Sequence, residues 1–281
     1  MKRDGTRADI RGLLWFYVVA TAITWLCYVP IVLAARNGAP LRTDVHGLLG
    51  LVAVLAPSLT ACVLAGVRGG RRELRRLLGM ALRLRFRARW YLLVLTVPFA
   101  VPLAAVALDA LLSGTAPAAW LVAPTAQTLA TFWIAAIGED LGWRGYALSR
   151  ALDRWGPVTA SLIHGPVWAL WHLPMFFIPG TAQADQTFAM FAVQVTGATM
   201  IFTRIFIGTG GSVAAMMLMH ATANLAFNTV PVFATEGGDA SRALLVSLLY
   251  LAAGIAALAT PPRRSAQTEA APAAAVGAGR P

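Results

Sequence analysis

The chain has 281 residues, 58% of them hydrophobic and only 12% charged. Soluble domains carry roughly 25% charged residues, so the composition excludes an ordinary soluble domain and points to a bilayer protein. The formal net charge of +11 would suit nucleic acid, but the arginines cluster between apolar runs rather than along one groove-facing helix, which excludes a nucleic-acid partner.

The first twelve residues form a basic tail with Lys2, Arg3, Arg7 and Arg11, followed by an apolar run from Leu13 to Leu33. That run is too long for the core of a signal peptide, and no small-residue cleavage site follows it, so it reads as an uncleaved first helix. A spanning helix needs about 20 apolar residues. Runs of about that length lie at 13–35, 47–67, 90–112, 120–138, 158–178, 187–207, 212–232 and 243–260. The fold class is therefore all-α: a polytopic membrane protein with about eight transmembrane helices.

The segment 70–90 is not a span. Leu74, Leu77, Leu78, Ala81 and Leu82 recur at helical spacing, with Arg71, Arg72, Arg75, Arg76 and Arg83 on the other side. This pattern predicts an amphipathic interfacial helix held by apolar burial and anionic headgroups. With both termini placed in the cytoplasm, all but three of the 23 basic residues fall on the cytoplasmic side; Arg36, Arg42 and Arg242 are the exceptions. The positive-inside rule then selects this topology. Residues 13–260 form the bundle, and the Ala- and Pro-rich segment 261–281 is expected to be disordered. Cys27 and Cys62 sit singly in apolar runs, with no CxxC or disulfide framework, and read as small hydrophobes.

Ionisable groups inside spans are costly, by about 2.5–3.5 kcal/mol on insertion scales, and each is a functional candidate. The fourth run ends in "GEDLGWRGY" (138–146), with Glu139, Asp140 and Arg144. Asp140 and Arg144 are i, i+4 and can pair on a helix, which leaves Glu139 free of that bond. Trp168 and His172 share the i, i+4 relation in the fifth run. His220, Asn224 and Asn228 repeat every four residues in the seventh and make one polar stripe. A pocket open to the cytoplasm, with Glu139 near the cytoplasmic end of its helix, would unite Glu139, His172, His220 and Asn224. His164 reads as cross-helix packing glue, and Asp109 as an interfacially solvated carboxylate.

These residues resemble a known family. "EDLGWRG" resembles the Glu-Glu-x-x-x-Arg motif of the CAAX-protease and bacteriocin-processing (CPBP, or Abi) intramembrane proteases. "WALWH" (168–172) resembles the second motif, an aromatic residue followed after three others by His. "HATAN" (220–224) resembles the third, His-x-x-x-Asn. The three stand in the family's order within about 120–230. Asp140 stands where the family has a second Glu, and Trp168 is the aromatic.

The resemblance implies an intramembrane endopeptidase acting on a membrane-associated peptide or protein. Glu139 would activate water, His172 would orient it, and His220 with Asn224 would donate to the tetrahedral oxyanion. Asp140, Arg144 and Trp168 would support them. Glu139, His172 and His220 also make a two-histidine, one-carboxylate set of the kind that holds catalytic zinc. No HExxH is present, and zinc and a metal-free glutamate mechanism both stay open. The alternatives are a non-catalytic peptide-binding or bacteriocin self-immunity protein and a transporter; no inverted repeat supports the latter. An arginine- and alanine-rich chain of this kind is expected in a bacterial cytoplasmic membrane. Substrate identity, prenyl recognition and oligomeric state are not set by the sequence.

Overall fold

The computed structural model describes residues 9–40, 42, 44–124 and 126–260. Most of the basic tail and the whole of 261–281, where disorder was expected, lie outside the described residues. The described chain is a bundle of eight helices: α1 Ile10–Arg36, α2 Val45–Ala81, α3 Ala88–Ser113, α4 Ala126–Asp140, α5 Ser149–Trp171, α6 Phe188–Gly208, α7 Val213–Phe227 and α8 Ala240–Ala259. Five of them, α1, α2, α3, α6 and α8, are long and apolar enough to cross a bilayer on length and composition alone. The helices α4 and α7 fall short because each has 15 residues, and α5 carries charged residues and breaks at Gly156. The outer surface is apolar in keeping with lipid contact: Leu26, Val63, Leu92 and Leu111 are exposed.

The fourth run does not end at 138. Helix α4 passes directly into a π-helical stretch, Leu141–Leu148, whose residues are all buried, and α5 follows without a loop. Glu139 therefore lies within a continuous helix rather than at its end. Arg144, one of the basic residues assigned to the cytoplasmic side, is buried inside the bundle. Long π stretches are uncommon and tend to mark functional sites, because the wider turn redirects side chains.

Three glycines explain how α4 and the π-helical stretch after it fit. A Cβ on Gly138 would lie 2.7 Å from the Val54 carbonyl oxygen, and one on Gly142 would lie 2.5 Å from the Pro57 backbone. Gly145 faces Leu77 in the same way. A small-residue face lets two membrane helices approach closely. With that face against α2, the charged residues between the glycines turn toward α5 and α7.

The helices run up and down, which fixes two ends. Asp9 pairs with Arg68, Glu73 with Arg76 and Arg150, and Ser212 donates to the Arg83 carbonyl. These contacts gather one arginine-rich end. Val122 N–H donates to the Thr229 carbonyl, Thr235 N–H to Asp185, and Arg242 to Asp109 at the opposite end.

At the arginine-rich end α2 breaks at Gly70, where φ is +63°, a conformation that favours glycine. The amphipathic stretch then runs only to Ala81, and 82–87 is non-helical, so the helix is shorter than the 70–90 segment predicts. Leu77 and Met80 are its buried residues, while Leu78 and Leu82 stay exposed. Asp109 is likewise corrected: it is not merely solvated but pairs with Arg242 at 2.8 Å, tying the end of α3 to the start of α8.

Candidate active site

Trp168 is the hub. It sits near the end of α5 with its indole nearly fully buried. Its Nε1–H donates to Glu139 Oε2 at 3.2 Å. Its ring meets His172 edge-on at a centroid distance of 5.5 Å and His220 at 5.7 Å. The i, i+4 spacing of Trp168 and His172 thus places the ring against the histidine as expected. A buried indole needs an acceptor for its N–H, and the Glu139 carboxylate supplies it.

Arg144 closes the other side. Its guanidinium carbon lies 3.8 Å from the Trp168 ring centroid and 4.3 Å from that of Phe202. A guanidinium between two aromatic faces is held electrostatically, more strongly where water is excluded. The Asp140 carboxylate stands 2.8 Å from Arg144 Nη1, so aspartate reaches the arginine although the family pattern has the longer glutamate. Neither of these atoms, nor Arg144 Nη2, has an aligned hydrogen bond. The contact is a charge pair backed by aromatic faces rather than a bidentate fork. Phe202 belongs to α6 and to none of the three motifs; a lone phenylalanine in an apolar run carries no sequence signal.

The polar connections differ from the local reading in one respect. Asp140 is not used up by Arg144: its Oδ2 lies 3.2 Å from His220 Nδ1. The reason is non-local, since α7 packs against α4 at a height that brings His220 beside Asp140. His172 Nδ1 donates to the Trp168 carbonyl at 2.8 Å, which leaves Nε2 with its lone pair.

A cavity of about 370 Å³ lies in front of this cluster. Trp168, His172, His220, Asn224 and Asn228 all line it. The Asn228 amide donates to the Asn224 carbonyl at 2.9 Å. Glu139 is 4% exposed and reaches the cavity through Trp168 rather than forming part of its described wall. The rim comes from 180–186 and from Phe233 and Glu236, which belong to the end opposite the arginines. Residues of the connections α5–α6 and α7–α8 line the cavity, and among the described residues none of the arginine-rich turns does.

His164 belongs elsewhere. Its Nδ1 shares a hydrogen bond with Tyr17 Oη at 3.0 Å across α1 and α5, the packing role expected of it. The zinc set finds no geometric support: among the described residues no three His, Cys, Asp or Glu side chains converge to hold a metal ion. The Nδ1 bonds of His220 to Asp140 and of His172 to a carbonyl leave both Nε2 atoms unengaged; it is the convergence of a third ligand that is missing among the described residues. The residues present do not fit a three-ligand zinc centre.

Residues 119–226 match the family model described as type II CAAX prenyl endopeptidase Rce1-like. The motif-bearing region is similar to that family. All three motifs, Glu139 to Arg144, Trp168 to His172 and His220 to Asn224, fall inside the matched segment, and the match supports the CPBP family that they resemble. The chain is also similar to CAAX prenyl protease 2 of Methanococcus maripaludis, 42% identical over 52 residues. That stretch covers 18% of this chain and 19% of the relative's length. The matched segment contains the buried cluster and is similar to a family described as endopeptidases.

Proposed function

We propose that the protein is an intramembrane endopeptidase that hydrolyses a peptide bond of a membrane-associated peptide or protein. The observation that carries this is the convergence of Glu139, His172 and His220 on the single indole of Trp168 beside a cavity of peptide-sized volume. Glu139 takes a proton from water. His172, with Nδ1 donating to the Trp168 carbonyl, accepts at Nε2 a hydrogen bond from the water's other O–H, which stays on the oxygen, and so aims the oxygen lone pair. The water oxygen attacks the scissile carbonyl, and the carbonyl π electrons move to oxygen. Asn224 donates to that oxyanion, and His220, whose Nδ1–H is given to Asp140, joins it from Nε2 in the form that carries both ring protons; donors of this kind typically contribute about 2.7–4 kcal/mol each to the transition state. The intermediate collapses by expelling the amine, which takes the proton held by Glu139.

Asp140 and Arg144 position rather than react. Asp140 fixes the His220 ring, and Arg144 neutralises Asp140 between two aromatic faces. A binding-only protein is the second reading, and one observation favours it: Glu139 is bonded to Trp168 instead of forming the cavity wall. The two readings part in an experiment. Wild-type and Glu139→Gln proteins are expressed in matched membranes, and the peptide termini of membrane proteins are compared by mass spectrometry. Termini present with the wild type and lost with Glu139→Gln support the endopeptidase; identical termini in both defeat it.

A further inference from the structure

We propose that the cavity takes an internal peptide segment carrying a cationic side chain, delivered from the membrane face opposite the arginine belt. The proposal rests on the endopeptidase reading for the fate of that segment, while its binding stands on the cavity alone.

The first observation is the cavity's charge. Its described lining contains no lysine or arginine, and Glu236 is its one carboxylate. A free C-terminal carboxylate is usually met by arginine, lysine or a nest of backbone N–H groups. Arg242, at the same end, is committed to Asp109 and the Pro231 carbonyl. The lining therefore suits a chain that continues past the cut rather than one that ends there.

The second is a set of acceptors without donors. Gln194 is 5% exposed and lines the cavity, and its Oε1 has no hydrogen-bond partner among the described residues. Gln186 Oε1, on the rim, is in the same position. A buried unmatched acceptor is costly by about 1–3 kcal/mol. The backbone N–H groups of an extended peptide are donors of the right kind.

The third is the rim. Glu236 and Asp185 stand close enough to interact, and Asp185 accepts from the Thr235 N–H. Burial, together with the Asp185 charge, pushes the Glu236 carboxyl above its ordinary range despite the Thr235 hydroxyl bond that opposes it. A lysine or arginine brought to the rim relieves both. The side follows from topology: the rim lies at the end away from Arg68–Arg89, Arg150, Arg154 and Arg204, and the positive-inside rule puts that belt in the cytoplasm.

The test uses three fluorescent apolar peptides. Two are C-terminally amidated and differ only in a central Lys or Glu; the third is the Lys peptide with a free carboxylate. Binding to detergent-purified wild type and Glu236→Gln is followed by anisotropy, and cleavage by mass spectrometry of the same samples. The amidated Lys peptide is expected to bind about tenfold more tightly than the Glu peptide and the free-carboxylate one, and Glu236→Gln to remove most of the Lys–Glu difference. If Glu236→Gln lowers the melting temperature, salt replaces it: the wild-type preference must fade as ionic strength rises. No binding, equal binding, a preference for Glu, or a salt-independent preference overturns the proposal. A lysine preference without cleavage defeats the endopeptidase reading alone; cleavage without that preference defeats this proposal alone. For the side, Ala184→Cys in a Cys27→Ser, Cys62→Ser background should react with an impermeant maleimide in intact cells. Reaction only in inverted vesicles overturns it.

Discussion

Asp140 stands between two partners from different helices: Arg144 at 2.8 Å and His220 at 3.2 Å. One carboxylate thereby joins the first motif to the third. Removing it leaves the arginine without its counter-ion and the histidine free to turn. Breaking a buried pair costs about 3–5 kcal/mol, so Arg144→Ala, which strands Asp140, should lose stability and activity together. Glu139→Gln keeps shape and should abolish cleavage with little change in melting temperature. Cleavage rate and melting temperature of both variants in one detergent check this; near wild-type cleavage by Glu139→Gln would sink the mechanism.

Trp168→Phe isolates a single hydrogen bond. It keeps an aromatic face for Arg144 and removes the N–H that reaches Glu139. The expected outcome is a protein that stays folded, with kcat reduced about tenfold and KM little changed, since the carboxylate loses its tether and not its substrate contacts. A fall in KM alone, or no change in kcat, would remove the tether from the account.

Topology is read with reporter fusions. A fusion at Ala182, in the rim connection, should report outside, and one after Arg264 inside. The reverse pattern would turn the cavity toward the cytoplasm and move the arginine belt to the wrong face.

Metal dependence follows from the ligand geometry. Because no three ligands converge among the described residues, purified protein should carry no stoichiometric zinc, and cleavage should survive exhaustive chelation. One zinc per chain by elemental analysis, lost in His172→Ala, would show that the helices rearrange around a metal.

At the arginine-rich end, hydrogen bonding to Arg76, with Arg150 alongside, holds the Glu73 carboxyl below its ordinary value. Its contribution is therefore complete at neutral pH and disappears as pH falls through that lowered value. The pairs are partly exposed, so the effect is about 0.2–1 kcal/mol. Glu73→Gln should lower the melting temperature by a degree or two at pH 7 and leave it unchanged well below the carboxylate range. An equal loss at both would assign Glu73 a role other than charge.

The helices and the three motifs were legible because both signals are local. Twenty apolar residues partition into a bilayer wherever they occur in the chain, and Asp140 meets Arg144 because a helical turn puts them together. The directions in which those residues look are not local. Only packing through Gly138 and Gly142 against α2 turned the first motif toward α5 and α7. Only the height of α7 beside α4 gave His220 to Asp140, and only the rim connections placed the mouth at the end opposite the arginines. Hydropathy and spacing specify a helix and its stripe; rotation, height and partner come from close packing between segments distant in the chain, 80 residues apart for Asp140 and His220.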